Sequence, residues 1–124
     1  MMNGAEMRAR LRFLGFTLDS FARFAKRDLR ALKRYQNGDA PVARPVEEKI
    51  RQLEQLAATQ LENWDKATEQ GVPIEIPRLN ETPSFGELPP HWYLALAGRH
   101  IAKWGEDATV EWPGEWEFED VKEI

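Results

Sequence analysis

Arg30, Lys33 and Arg34 fall within a little over one turn of each other in Leu-Arg-Ala-Leu-Lys-Arg-Tyr-Gln, residues 29–36. Residues at i, i+3 and i+4 share one face of a helix, so three cations are presented together. Guanidinium and ammonium groups donate hydrogen bonds and accept none. A face of this kind can bond guanine O6 and N7, and Leu29 beside it can pack on a thymine methyl. Leu29, Arg30, Lys33 and Arg34 are therefore candidates for reading base edges. Thr17, Lys26, Arg27 and Asn37 stand around them at the ends of the stretch. There they suit phosphate contacts, which set register without reading sequence. A solvated basic helix face is the plain alternative, and the spacing around the face decides between them.

Other reactive groups point nowhere in particular. His91 and His100 are nine residues apart with no third ligand at a recognised spacing, so no metal site is expected. Glu47-Glu48 and Glu106-Asp107 fall at a helix start and in a turn, where carboxylates are favoured anyway. There is no phosphate-cradling glycine loop and no Gly-x-Ser-x-Gly elbow. The expectation is a protein without catalytic residues or cofactor.

The elements that must hold the basic face can be read from caps and periodicity. Asn3-x-x-Glu6 opens a first helix, with Met7, Leu11 and Leu14 on one face and Gly15 as its stop. Thr17 caps a second helix whose inward stripe is Phe21, Phe24 and Ala25. Ala22 is small, as a close helix crossing requires. Asp28 caps a third helix, with Leu32 and Tyr35 inward and Gly38 at its end. Two short helices joined by a tight turn, the second basic outside, form a helix-turn-helix, in which the second helix enters the DNA major groove.

The stretch resembles the Cro/repressor-type (XRE) family on Thr17, Phe21-Ala22, the turn at Lys26-Arg27, the cap Asp28, then Leu32, Arg34-Tyr35-Gln36 and Gly38. The glycine usual in that turn is Lys26 here, and the usual Trp-Glu is Tyr35-Gln36. The resemblance implies a DNA-binding regulator that reads its site with the third helix.

Charge is distributed accordingly. Residues 1–40 hold nine basic and four acidic side chains, a net +5, whereas residues 41–124 carry −9. Phosphate neutralisation needs the positive charge on the reading head, and the acidic remainder limits non-specific adhesion. A hydrophobic content of 42% supports a folded core, and no apolar run nears the ~20 residues that span a bilayer. The absence of cysteine and of a signal-like start fits a cytoplasmic protein without membrane attachment.

Pro45 introduces a fourth helix expected over 45–69, with Val46, Ile50, Leu53, Ala57, Leu61 and Trp64 on one stripe. Residues 72–76 alternate like an edge strand, 77–90 read as a proline-rich loop, and 91–103 as a helix with Tyr93, Leu96, Ala97, His100 and Trp104 at helical spacing. Residues 108–112 suggest a short strand, and 113–124 a strand or a loosely held tail. The fold class expected is mainly α with a small β component. A helix-turn-helix domain over 1–70, nearly self-sufficient, would be followed by an α+β dimerisation unit over 71–124.

Four of the five tryptophans follow residue 90. Interface cores are enriched in such residues, which makes Trp92, Leu96, Trp104 and Trp112 the candidate homodimer surface. The layout of this half is similar to that of the anti-CRISPR-associated, phage-type autorepressors, which implies a homodimeric repressor on an inverted repeat in its own or a neighbouring operon. The alternatives are the antitoxin of a toxin–antitoxin pair, with the toxin as protein partner, and a protein-interaction module that binds no DNA and uses its acidic half.

Overall fold

A computed structural model of the chain describes residues 1–84 and 86–113. Its first helix, α1 (Gly4–Phe13), is capped by Asn3, whose side chain accepts from the Glu6 N–H at 2.9 Å while its amide donates to the Glu6 carboxylate at 3.0 Å. Met7 and Leu11 face inward, and Gly15 turns the chain with φ +85°. A Cβ on Gly15 would also lie 2.2 Å from the His91 carbonyl oxygen, so the turn needs glycine for both conformation and space.

Helix α2 (Leu18–Ala25) starts at Thr17, which exchanges hydrogen bonds with Ser20 in a reciprocal capping box. Leu18, Phe21 and Ala22 are buried, whereas Phe24 and Ala25 are half-buried, at the edge of the core. The helix ends in a left-handed residue at Lys26 (φ 56°, ψ 49°). Asp28 then caps α3 (Leu29–Gln36), its carboxylate accepting from the Arg30 N–H at 3.0 Å. Gly4 lets α1 lie directly on the end of α3: a Cβ there would stand 1.9 Å from the Tyr35 carbonyl oxygen.

Helix α4 (Arg44–Glu69) runs 26 residues, about 39 Å at 1.5 Å per residue. Its stripe of Val46, Ile50, Leu53, Ala57 and Trp64 is buried against the rest of the molecule. Two strands of two residues, β1 (Ile74–Glu75) and β2 (Val110–Glu111), pair in parallel, with Ile74 opposite Val110 and Glu75 opposite Glu111. Parallel strands need a crossover, and α5 (Pro90–Trp104), followed by a 3-10 turn over Gly105–Asp107, supplies it. The architecture is mainly helical with a small two-stranded sheet.

One buried cluster joins both halves of the chain. Met7, Leu32 and Ile50 share it with Ile74, Trp92 and Leu96, and the Trp92 ring meets that of Phe16 edge-on at 5.9 Å. The boundary expected at residues 70/71 therefore coincides with no break in packing. The α5 stripe is also extended by one position. Trp92 (1% exposed), four residues before Leu96 and facing Phe16, begins its buried part, and Tyr93 packs half-buried at the edge of the core. The strand expected over 72–76 keeps two paired residues. Ile74 and Ile76 point into the core and Val72 stays exposed. The reading of 113–124 falls, apart from Pro113, outside the described residues.

Candidate nucleic-acid interface

Helix α3 is held from one side only. Leu32 is completely buried and Tyr35 half-buried, and Arg30, Lys33 and Arg34 stand exposed opposite them. Among the described residues no ion pair engages Arg27, Arg30, Lys33 or Arg34. Among the described residues this is a cationic helix face without an ion-pair partner, and its donors can meet acceptors of another molecule.

Leu29 behaves differently from its three neighbours. It is half-buried and packs on the edge of the core, so much of its surface is already committed within the chain. Its assignment as a thymine-methyl contact is weakened accordingly, and the three cations remain as the exposed chemistry of α3.

Thr17, Lys26, Arg27 and Asn37 are all exposed and mark the ends of the α2–α3 pair. The Thr17 hydroxyl oxygen accepts from the Ser20 N–H at 3.0 Å, so it serves the cap of α2. Asn37 closes α3, its N–H donating to the Lys33 carbonyl at 3.0 Å. A neighbour that the sequence did not foretell is the proline-rich stretch, whose Pro83 and Gly86 come beside α2 and its C-terminal turn. Arg23 donates to the Pro83 carbonyl at 3.4 Å, and a Cβ on Gly86 would approach the Lys26 side chain to 3.4 Å.

The four residues assigned to a subunit interface divide in two. Trp92 and Leu96 have essentially no exposed surface, and a side chain consumed by its own core offers no area to a partner. Trp104 is half-buried, with its indole N–H donating to Asp65 at 2.6 Å. Trp112 is half-buried too and borders a shallow groove with Ile76, Leu94, Gly98, Ile101 and Val110. Leu94 and Ile101 are the exposed apolar residues of α5, and the sequence reading passed over them. Their phase was the available signal: they lie on the side opposite the Leu96–His100 stripe.

Among the described residues His100 is the buried polar residue of the core. Its Nε2 lies 2.7 Å from the Thr68 hydroxyl, and its Nδ1 stands 3.7 Å from an Asp65 oxygen without a hydrogen bond. Burial pushes its pKa below the ordinary histidine value, with Asp65 opposing in part. Hydrogen bonds from Lys103 and Trp104 hold the Asp65 carboxyl below the usual carboxylate range. This polar set ties α4 to α5. His91 is exposed at the start of α5, and among the described residues no group of three or more His, Asp or Glu is placed to hold a metal. No described helix is long and apolar enough to cross a membrane. No protein-family model matches the chain, nor does any curated protein.

Proposed function

We propose that the chain is a sequence-specific DNA-binding transcriptional regulator: a homodimeric repressor of its own or a neighbouring operon, acting through a helix-turn-helix made of α2 and α3. The observation that carries this reading is α3 itself, anchored by Leu32 and presenting Arg30, Lys33 and Arg34 exposed and, among the described residues, without an ion pair. The turn adds support. Where Cro/repressor-type sequences carry glycine, Lys26 takes the positive φ that glycine would adopt without strain. Arg30 and Arg34 would read bases, Lys33 would read or grip beside them, and Arg27 would hold phosphate. Two such helices on an inverted repeat would sit about 34 Å, or roughly 10 base pairs, apart.

Selection of DNA fragments by the purified protein, followed by titrations at several salt concentrations, tests the proposal. Arg30→Ala is expected to lose about 1–3 kcal/mol on the selected operator and to relax preference at one base pair. Arg27→Ala is expected to weaken selected and scrambled DNA alike and to make the salt slope shallower by about one unit. Absence of salt-sensitive binding to any DNA would overturn the proposal in favour of a protein-interaction module.

A further inference from the structure

Gly98 sits in the middle of α5 and is exposed, and a Cβ built on it would meet nothing within 4 Å. Glycine in a helix interior costs about 1 kcal/mol relative to alanine. Among the described residues nothing packed on it requires glycine here, unlike Gly4 and Gly15. On either side along the helix stand Leu94 and Ile101, 39% and 46% exposed. Together with Val110 and Trp112 they border a groove of about 460 Å³. Leu94 and Ala95 also line the adjoining hollow beside Gly15 and Phe16. The result is a continuous, largely apolar face along one side of α5, with its lowest point at the glycine.

We propose that this face receives the same face of a second copy, with the two α5 helices antiparallel and crossing at Gly98. The helix is complementary to itself in that arrangement. With Gly98 over the partner's Gly98, Leu94 and Ile101 lie on one flank of the crossing and meet the partner's Ile101 and the partner's Leu94, while Ala95 and Ala102 keep the other flank low. Interaxial distance is set by the side chains at the contact, and glycine at the crossing allows the closest approach. Charge agrees with the same direction. The first turn of α5 has no acidic residue and no side-chain cap. Glu106 and Asp107, both exposed in the 3-10 turn, would come beside the partner's Pro90 and His91. That places carboxylates at the positive end of a helix dipole. Parallel pairing would leave both ends without such complements.

The pairing gives the DNA-binding reading its two-fold symmetry and rests on that reading for its use, but it is a property of the free protein. Sedimentation equilibrium of the full chain without DNA is the experiment. The wild type is expected to dimerise at micromolar concentration. Gly98→Glu sets two carboxylates against each other at the crossing and is expected to raise the dimer dissociation constant at least 100-fold without lowering the melting temperature of the monomer. Ile101→Arg, one turn along the same face, is expected to act in the same direction. Glu106→Lys should weaken the dimer several-fold, and less so at high salt.

A wild-type monomer at 100 µM, or variants that dimerise unchanged, would overturn the inference. DNA titrations keep the two claims apart. Arg30→Ala should remain dimeric while losing its operator, and Gly98→Glu should keep weak, Arg30-dependent binding to a half-site. A dimer broken by Gly98→Glu in a protein that binds no DNA would uphold the interface and overturn the function.

Discussion

His100 shows how one residue escapes a reading by type. Sequence spacing put it in line with Leu96 and Ala97 and left it a place in the core or on the surface, and the fold buries all three. Its partners were invisible, because Thr68 and Asp65 lie on α4, more than thirty residues earlier. The consequence is a stability that depends on pH. The folded-state pKa is depressed, so the unfolded chain binds a proton that the folded chain refuses. Stability is complete above the ordinary value of about 6.5 and declines as the pH falls from there toward the lower folded value. The Asp65 contribution is lost only in more acidic solution, below about pH 4, because its unfolded carboxyl is still ionised above that. Thermal melts between pH 7.5 and 5 should show the wild type losing stability. His100→Gln, which keeps an amide for Thr68, should follow a flatter profile. Identical profiles would remove His100 from the account.

At the scale of elements, starts and stops were the legible part. Asn3, Thr17 and Asp28 act as side-chain caps, and Pro45 and Pro90 lie in first turns, as their types imply. These signals are local chemistry, satisfied within three or four residues. Phase in α5 was harder to read. Trp92 and Tyr93 are equally plausible inward residues until Phe16, 76 positions away, takes Trp92 into the core and leaves Tyr93 at its edge. The two-residue strands carry still less signal, since their pairing spans the whole of α5.

The α2–α3 turn sits between these cases. Its length was readable, but a left-handed lysine is not what the residue type announces. An L-residue in this conformation costs roughly 1–2 kcal/mol. Lys26→Ala and Lys26→Gly both remove the side chain beyond Cβ, and glycine alone relieves the backbone. The glycine variant should therefore be the more stable by about 1 kcal/mol, read from denaturant midpoints at equal m-values. Equal stability would mean that the turn opens to another conformation when the lysine is removed.

Across the whole molecule, the charge division and the helical class were readable from composition, whereas the integration of the two halves was not. A net +5 over residues 1–40 and −9 beyond suggests a head with an appendage. The core does not follow the charge, because α5 lays Trp92 against Phe16 and brings Leu96 and Ile74 into the cluster that also holds Met7 and Ile50. Charge reports what faces solvent; packing is decided by apolar residues whose long-range partners leave no trace in a local window. The nearly self-sufficient head expected over residues 1–70 is accordingly replaced by a stricter prediction. Removing residues 72–124 should expose Phe16 and strip the inner face of α4. Loss of a buried tryptophan side chain alone costs about 3–5 kcal/mol, against a total of about 5–15 kcal/mol for an ordinary domain. The truncated chain should lack a cooperative thermal transition and should bind DNA only as an unfolded polycation does, without preference for the selected operator. Trp92→Ala in the full chain should lower the melting temperature in the same direction. A truncated protein that melts cooperatively near the wild-type temperature would show that α1–α4 close a core of their own and that α5 only leans on it.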